Sequence, residues 1–361
     1  MHASGGSKRR KKGDDHTMKR ILVAILMLVM VCAVVHGALA EQSGAADSPL
    51  PVRVLILPKF EVGEMAGDFP GEAQYYYEAY LADAEAYDVP YGAPGTRLYY
   101  KDGVALCALG MGKVNAALTT MAILSDARFD YSKAYLLSTG CAGSAAETTV
   151  MGDVFVITAA VDYDLGHHAD GRDLADPEGI SWFHDADFDE AAVVILNQEL
   201  AERAYALVKD TPVETTDRTR NYMFHAFDGA AWAVRDPLVL PGTTVTADNY
   251  WKGSHGHENA LLMVETYACP DPYVTTEMED VAVARAAQRM GLLDRLIVIR
   301  GSVNMDVFML GATPESLWSD AEALALADED SVEAADIFPV SMKNNFAVGR
   351  VIIDSILSGE F

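Results

Sequence analysis

Short, β-branched apolar runs alternate with helical patterns after residue 50, and this alternation constrains the fold more than any other feature. Val52–Leu57, Asp153–Ala160 and Leu296–Arg300 are short, apolar and rich in valine and isoleucine, which is typical of buried strands. Helical spacing follows over Lys113–Ala127 and again over Lys343–Leu357. Strands interleaved with helices indicate a largely parallel sheet covered by helices. We therefore predict an α/β fold, a three-layer sandwich around a mixed, largely parallel central sheet.

Other segments extend this pattern. Asp102-Gly103 lies between Arg97–Tyr100 and Val104–Leu109, and this dipeptide is the strongest short signal for a β-hairpin in the chain. The remaining predicted elements are a strand at Ala134–Ser138, a tyrosine-rich segment Gln74–Ala86 that begins a helix, helices at Glu190–Lys209 and Thr275–Met290, and surface loops at Gly171–Pro177 and Thr211–Arg220.

The charge balance excludes one broad class of partner. The 361 residues include 27 basic and 53 acidic side chains, a formal net charge of -26. A surplus of this size repels phosphate backbones, so we predict no nucleic-acid partner. Four cysteines are too few and too scattered for a disulfide scaffold or a zinc ribbon.

The N-terminal 40 residues have the layout of a secretory signal peptide. Lys19 and Arg20 precede the unbroken apolar run Ile21–Val35, and small residues follow at Ala38 and Ala40. The run of 15 residues is shorter than the roughly 20 that a spanning helix needs. We therefore favour cleavage after Ala40 over an uncleaved membrane anchor.

Cleavage predicts an exported, strongly acidic protein, periplasmic if the source is Gram-negative. Residues 1–40 are then an N-terminal extension and signal peptide, residues 41–50 a linker, and residues 51–361 a single domain. Met18 is an alternative start. Beyond residue 40 no segment approaches 18 consecutive apolar residues, so the mature chain is not expected to cross a membrane by itself.

Two segments crowd potential metal ligands. Asp162–Asp173 contains several carboxylates and two imidazoles, and His255-Gly-His257-Glu258 is a second polar, glycine-containing segment. The first lacks a second ligand cluster and fits a polar active-site loop better, and the second fits a mobile loop. We predict no metal site and no cofactor, with inorganic phosphate kept open as a co-substrate.

Five segments occur in the order found in one enzyme superfamily. They are Cys107–Ala117, Leu137–Gly143, Met151–Ile157, Thr276–Ala282 and Val298–Asn304. In this order the segments resemble the nucleoside phosphorylase and nucleosidase superfamily. The variant Phe69-Pro-Gly-Glu72, the extended tail and the export signal make the chain most similar to the purine nucleoside permease family. The resemblance implies that superfamily's fold, a purine nucleoside as the bound partner and chemistry at the N-glycosidic bond.

The resemblance also implies roles for individual residues. Glu279, with Met278 before it, resembles the family's ribose-binding glutamate, and a carboxylate there also favours developing positive charge. Asn304 stands where related nucleosidases carry an acidic residue that protonates N7 of the base, and Asp306 is close enough in sequence to compensate. An amide suits inosine or guanosine better than adenosine. Glu61 resembles the carboxylate that positions the attacking water, which predicts a general base.

The same resemblance assigns further residues to the base and the sugar. Aromatic side chains stack on bases with about 1–3 kcal/mol each, and small or polar strand-end residues approach the ligand closely. The residues assigned to the base are Tyr250, Trp251, Cys141 and Gly143, and those assigned to the ribose 5′-hydroxyl are His167 and His168.

The nucleophile separates the remaining alternatives. Phosphorylases of this superfamily need a cationic phosphate pocket, but Ser138 stands at the usual arginine position and Cys141 replaces the serine. A carboxylate such as Glu72 opposes phosphate binding because like charges repel. Cations elsewhere could substitute, and the candidates are Lys59, Arg97 and Lys113. The sequence therefore favours hydrolysis over phosphorolysis.

Three functions stay open at this point. The favoured one is a nucleosidase that releases base and ribose. The second is a non-catalytic nucleoside receptor that passes its ligand to a separate membrane transporter. The third is a phosphate-dependent phosphorylase. The superfamily resemblance also keeps a homo-oligomer open, without fixing the number of subunits.

Overall fold

The computed structural model describes residues 48–176, 179–312 and 337–361. The predicted signal peptide with its cleavage site at Ala40, and residues 41–47 of the predicted linker, lie outside the described residues. Residues Leu50–Phe361 form one compact unit. Among the described residues no helix is both long and apolar enough to cross a bilayer.

Strands and helices alternate along this unit, and they are named here in chain order. The strands are β1 (Leu50–Pro51), β2 (Val54–Leu57), β3 (Glu85–Asp88), β4 (Arg97–Lys101), β5 (Val104–Cys107), β6 (Phe129–Asp130), β7 (Tyr135–Ser144), β8 (Val154–Asp162), β9 (His167–His168), β10 (Trp182–Phe183), β11 (Val193–Ile195), β12 (Val239–Thr246), β13 (Tyr273–Glu277) and β14 (Leu296–Met305). The α-helices are α1 (Gln74–Tyr80), α2 (Lys113–Leu124), α3 (Asp189–Ala192), α4 (Gln198–Val208), α5 (Asp217–Ala226), α6 (Ser254–Thr266), α7 (Asp280–Arg289) and α8 (Ile337–Ser358).

The central sheet is mixed, as predicted. β2 pairs in parallel with β5 and β7, β7 with β14, and β12 with β8 and β13. β13 pairs with β7 and β14 pairs with β8 in antiparallel fashion, so β7, β14, β8, β12 and β13 close into a ring. β11 extends the sheet beyond β8, and β5, β4 and β3 extend it beyond β2. The ring brings the ends of several strands to one place.

Two apolar layers cover the sheet. Side chains alternate between the two faces of a strand, and β2 is buried on both of its faces. Leu55 and Leu57 pack in one buried cluster with residues of α2 and α7. Val54 and Ile56 pack in a second cluster with residues of α1, α4 and α8. Burial of one such aliphatic side chain contributes about 1.5–3 kcal/mol, so helices on both faces stabilise the sheet.

The register of two neighbouring strands positions the site. β7 and β14 run in parallel, with Arg300 opposite Gly140 and Asn304 opposite Gly143. Two strand-end motifs that are far apart in sequence therefore lie side by side. The hairpin prediction is also confirmed, because β4 and β5 are antiparallel around Asp102-Gly103, and both turn residues have positive φ angles.

Three helix predictions are wrong in their extent. Glu190–Lys209 contains the short strand β11, because Asn197 caps a new helix by accepting a hydrogen bond from the Leu200 N–H. Thr275–Met290 begins as strand β13, and α7 starts only at Asp280. The helix at Gln74 ends at Tyr80, after which β3 adds an edge strand.

Two loop predictions and one omission also need correction. Thr211–Arg220 was expected to be a loop, but α5 begins at Asp217 because the Thr216 side chain caps its N-terminus. His255-Gly-His257-Glu258 lies within α6 and is not a loop. β12 was not predicted, because Pro241-Gly242 interrupts its apolar pattern and its register shifts there beside β8.

Candidate functional site

A cavity of about 200 Å³ lies where β7, β13 and β14 end. Three surrounding loops complete its wall, with Phe60, Met111 and Asn249 among their residues. The sequence-predicted residues that line it are Cys141, Gly143, Tyr250, Trp251, Met278, Glu279 and Asn304. The structure therefore brings together seven candidates from four separate segments of the chain.

A fully buried arginine on β14 organises the cavity floor. Arg300 is 1% exposed. Its Nε donates to Asp280 at 2.7 Å, and its Nη2 donates to Glu277 at 2.9 Å and to Glu279 at 3.2 Å. Nη1 donates to the Cys141 carbonyl at 2.9 Å. Burial by itself lowers the pKa of the guanidinium, but the neighbouring carboxylates outweigh it and raise that pKa well above its ordinary value. Arg300 is therefore a permanent buried cation.

A buried lysine lies beside this network. The Lys59 ammonium donates to the Leu57 carbonyl and the Ser138 hydroxyl, both at 2.8 Å, and to the Thr139 carbonyl at 3.2 Å. It lies 3.8 Å from Asp280, which also accepts from the Ser138 hydroxyl at 2.8 Å. Burial, followed by the charge of Arg300, lowers the pKa of Lys59. Both cavity cations already have several partners.

Glu72 also lines the cavity. Its carboxylate accepts the backbone N–H groups of Lys59 at 2.6 Å and Cys141 at 2.8 Å. Burial raises the pKa of the Glu72 carboxyl. A side chain at Gly140 would place its Cβ 2.6 Å from Glu72 Oε1, so glycine at that position makes room for the carboxylate. Burial also raises the pKa of the Cys141 thiol well above its usual range, which keeps that thiol protonated.

Two glutamates hold the N-terminus of α7 and the cavity floor. Glu277 accepts the N–H groups of Glu279 at 2.6 Å and Asp280 at 2.8 Å, as well as the Thr246 hydroxyl. Burial, and then the charge of Asp280, raises the pKa of Glu277 to about 7. Glu279 Oε1 accepts the Gly112 N–H at 3.0 Å, while Oε2 receives Arg300. Each Glu279 oxygen keeps a second lone pair for a ligand hydroxyl.

Carboxyl groups outnumber basic side chains around this cavity. Buried charges are tolerated only when they are paired or hydrogen-bonded. Two buried cations face four buried carboxylates, namely Lys59 and Arg300 against Glu72, Glu277, Glu279 and Asp280. Burial alone would raise the pKa of Asp280, but Arg300 and Lys59 outweigh it and keep the pKa low. The site is therefore suited to a ligand that carries or develops positive charge.

The aromatic segment, Tyr250 and Trp251, forms the outer wall of the cavity. Trp251 stacks on Tyr163, with ring centroids 5.1 Å apart and 20° between the planes. Tyr250 is 57% exposed at the cavity mouth. Asn304 donates from Nδ2 to the Met305 carbonyl at 3.2 Å, and this nitrogen lies close to Gly143. Amide and aromatic groups therefore line the same cavity as Glu279.

Four predicted site residues do not line the cavity, and Glu61 is the first of them. Its carboxylate accepts the N–H groups of Ala73 at 2.8 Å, Gln74 at 2.6 Å, and Gly71. Carboxylates that accept these N–H groups stabilise a helix N-terminus. Glu61 instead borders a separate open cleft of about 350 Å³.

The other three are Asp306 and the two histidines. Asp306 is buried beyond the end of β14 and accepts hydrogen bonds from His257 and Tyr273. His167 and His168 are exposed on β9, which pairs only with β10 among the described strands. His167 contacts Asp185 at 2.9 Å. These positions do not place any of the three against the cavity.

Sequence reasoning missed the central part of the floor. Arg300 was treated only as the end of an apolar strand, and Glu277 and Asp280 were given no role at the site. The position of Arg300 in a short apolar strand could have indicated these partners, because an arginine is almost never buried without carboxylates beside it. Glu72 was noted only as unfavourable to phosphate, yet it lies in the cavity wall.

The segments that suggested metal ligands have other partners. Lys113 binds Asp162 at 2.7 Å and Asp164 at 2.8 Å. His255 and His257 lie in α6 and contact Ser181 and Asp306 respectively. In the parts of the chain that the structure describes, no group of three or more His, Cys, Asp or Glu side chains is placed to hold a metal ion.

Solved structures establish the fold. The chain resembles a 5′-methylthioadenosine/S-adenosylhomocysteine nucleosidase from Neisseria meningitidis in complex with methylthio-immucillin-A, at 17% identity and a TM-score of 0.50, covering 84% of this chain and 99% of that one. It also resembles futalosine hydrolase of Helicobacter pylori, at 15% identity and a TM-score of 0.52, covering 84% and 98%. At these identities the likeness concerns the fold alone, which is nucleoside phosphorylase-like.

Sequence relatives carry the family name. A probable purine nucleoside permease of Schizosaccharomyces pombe is 27% identical over 220 residues, 55% of this chain and 63% of the relative. A purine nucleoside permease of Candida albicans is 27% identical over 236 residues, 57% of each chain. The chain thus matches less than two thirds of the length of these relatives. The family model for purine nucleoside permease (NUP) matches residues 51–360. The chain therefore belongs to the purine nucleoside permease family.

Proposed function

We propose that the chain binds a purine nucleoside in the 200 Å³ cavity and hydrolyses its N-glycosidic bond. The observation that carries this proposal is the excess of buried carboxylates around the cavity. Cleavage of the bond makes the sugar oxocarbenium-like, and preorganised carboxylates stabilise such positive charge in a water-poor site. Membership of the family and the nucleosidase-like fold support the same ligand class.

The cavity suggests how the nucleoside lies. The free lone pairs of Glu279 accept the two ribose hydroxyls, with Met278 beside the sugar. The base lies between the aromatic segment and the strand end that carries Gly143. Asn304 donates its amide N–H to N7 or to an oxygen at C6, which favours inosine or guanosine over adenosine. An amide carries no titrating proton, so the leaving base takes its proton from solvent.

Glu72 replaces Glu61 in this proposal as the general base. The Glu72 carboxylate lies in the cavity wall, and its raised pKa makes it a stronger base than an exposed carboxylate. A water held by Glu72 attacks the anomeric carbon and transfers a proton to the carboxylate. The carbon–nitrogen bond breaks, and its electron pair leaves with the base. Free ribose and free purine are the products.

Phosphorolysis fits these contacts less well. The N-terminus of α2 already receives two carboxylates, because Glu279 accepts the Gly112 N–H and Asp248 accepts the Lys113 N–H at 2.7 Å. Lys59 and Arg300 already bind protein groups, and a phosphate dianion would enter a site in which carboxyl groups outnumber the cations. Repulsion in a poorly screened cavity disfavours that ion strongly.

Base release is the first measurement. The purified protein is incubated with inosine, guanosine or adenosine, with and without phosphate, and free base is followed by chromatography. Release without phosphate supports hydrolysis. Release only with phosphate restores the phosphorylase alternative. Binding without release leaves a receptor that passes its ligand to a separate transporter. Absence of binding contradicts the purine assignment.

Substitution of Glu72 tests the general base. Glu72→Gln is expected to lower base release about 10²–10⁴-fold, the usual effect of losing acid–base catalysis. Nucleoside affinity should fall much less than turnover, although the amide nitrogen of the variant must face one of the two backbone N–H groups that Glu72 accepts. Steady-state rates and calorimetry measure the two effects. The matched control is Glu202→Gln on the exposed face of α4. Equal turnover in both variants would exclude Glu72 as the base.

Export is a separate part of the proposal. The signal-peptide pattern predicts a mature protein that starts at Glu41 and acts outside the cytoplasm, as a family name drawn from uptake suggests. Expression in the native host, fractionation and N-terminal sequencing test it directly. A protein that keeps residues before Glu41 in the cytoplasmic fraction would contradict export.

A further inference from the structure

A second buried cluster lies just beyond the cavity, around Asp306, which is 1% exposed. Its Oδ2 receives His257 Nδ1 at 2.7 Å and the Tyr273 hydroxyl at 2.8 Å. Its Oδ1 accepts the Ala146 N–H at 3.1 Å. Three donors from three different segments converge on one carboxylate.

The backbone of Asp306 joins the same segments. Its N–H donates to the Ser144 carbonyl at 2.9 Å, and its carbonyl accepts the Gly253 N–H at 2.7 Å. Gly253 in turn accepts the His257 N–H at 3.1 Å, which closes the first turn of α6. Asp306 therefore fastens the end of β7, the start of β13 and the start of α6 to the end of β14.

Each of these segments carries part of the cavity wall. Asn304 lies two residues before Asp306 on β14. Tyr250 and Trp251 lie immediately before the Gly253 contact. β7 carries Gly143, and β13 leads into Glu279. These contacts of Asp306 with Ser144, Ala146, Gly253, His257 and Tyr273 are called the joint below. The joint sets the distance between the aromatic wall, formed by Tyr250 and Trp251, and the amide of Asn304 that faces the base.

The charge of His257 contributes to this joint. The titratable groups that face it among the described residues are Asp306 just after β14, Tyr273 on β13 with ring centroids 5.8 Å apart, Glu147 after β7, and Glu258 on its own helix. Burial lowers the pKa of His257, but the hydrogen bond and charge of Asp306 outweigh it and raise that pKa. The ionic pair of His257 and Asp306 is therefore complete below about pH 6.5, the ordinary pKa of histidine. It is lost as the pH rises through the raised pKa of His257 in the folded protein.

We propose that Asp306 is a positioning residue for purine nucleoside binding, which it serves through protonated His257 and through Tyr273 by fixing the aromatic wall against Asn304. This inference rests on the proposed function. It also gives Asp306 a different role from the proton donor predicted from sequence, because its carboxylate is buried and occupied by three donors. A charge-assisted hydrogen bond is about twice as strong as a neutral one, so loss of the His257 charge weakens the joint without removing it.

The test measures affinity against pH. The probe is 9-deazainosine, whose carbon–carbon glycosidic bond resists cleavage. Its N7 carries a hydrogen, so the Asn304 N–H contacts the oxygen at C6 in this complex. Calorimetry is run from pH 6 to pH 8.5. Wild-type affinity should fall as the pH rises, by about 5- to 10-fold once His257 has lost its charge, in line with the loss of one charge-assisted hydrogen bond. Asp306→Asn should bind about tenfold more weakly than wild type at pH 6 and show no such dependence. Asp210→Asn, at an exposed position after α4, is the matched control and should follow wild type.

A second variant covers the case in which Asp306→Asn does not fold. His257→Gln keeps a hydrogen-bond donor but removes the charge, so its affinity should be pH-independent and lower than that of wild type at pH 6. His225→Gln on the exposed side of α5 is its control. The wild-type pH profile in His257→Gln would overturn the proposal.

Hydrogen exchange separates this inference from the proposed function. If wild type fails to bind the probe at every pH, the proposed function fails, but the joint is still testable. Amide exchange over Ala247–Gly253, compared at equal pH, should be several-fold faster in His257→Gln than in wild type, because the Gly253 N–H is held by Asp306. Equal exchange rates would overturn the positioning role.

Discussion

Arg300→Met is expected to lower the free energy of unfolding by about 3–5 kcal/mol, the usual cost of leaving a buried charge without its partner. Methionine replaces the aliphatic part of the arginine side chain and removes the guanidinium group. The variant leaves Glu277 and Asp280 without the cation that they bind in the wild type. Lys59 remains 3.8 Å from Asp280, which is beyond hydrogen-bond distance. Urea denaturation of both proteins at pH 7, followed by circular dichroism, measures the difference.

A surface pair provides the control for this substitution. Arg350 contacts Asp354 at 3.4 Å one helical turn away, and both side chains are more than half exposed. Arg350→Met should therefore cost less than about 1 kcal/mol. Arg300→Lys should recover only part of the loss, because an ammonium cannot make the forked contacts of a guanidinium. A loss below 1 kcal/mol for Arg300→Met would mean that the network is not a stabilising feature of the fold.

The sequence allowed the fold class to be predicted because its strongest signals are local. The apolar runs at β2, β8 and β14 are short and β-branched, and tight turns or helical spacing follow them. The prediction failed where one stretch of sequence with a helical pattern contains both a strand and a helix. The alternation over Glu190–Lys209 fits an amphipathic helix, yet β11 pairs with β8 inside it. That pairing depends on a residue more than 30 positions away, which a local pattern does not contain.

The difference between local patterns and long-range pairings also explains which site residues were predicted and which were missed. Strand-end motifs are local, and seven predicted residues meet in the cavity. Pairings across the sheet are not local, so two partners of Arg300 were missed, Glu277 at the end of β13 and Asp280 at the start of α7. Glu61 and Glu72 lie in one loop, and the sequence does not show which of them faces the cavity. The position of the start of α1 decides this. Glu61 accepts the N–H groups at that helix start, and this leaves Glu72 facing the cavity.

Glu279→Gln is expected to lower kcat/KM for base release about 10²–10³-fold, as loss of one preorganised electrostatic group commonly does. The amide removes the charge that stabilises the developing oxocarbenium ion. It also creates a mismatch, because both Glu279 oxygens accept donors, from Gly112 and from Arg300. The amide nitrogen of the variant must therefore face one of these donors. Steady-state kinetics with inosine measure the loss.

Affinity distinguishes transition-state stabilisation from simple binding. Only interactions that are stronger in the transition state than in the ground state raise kcat. We therefore expect Glu279→Gln to lose much more in kcat than in affinity for 9-deazainosine, while Glu202→Gln changes neither. Equal losses in kcat/KM and affinity, with kcat unchanged, would mean that Glu279 only holds the ribose. A wild-type protein without turnover, whose affinity alone falls in Glu279→Gln, would be a nucleoside receptor, and the carboxylate excess would then serve recognition of the ribose hydroxyls.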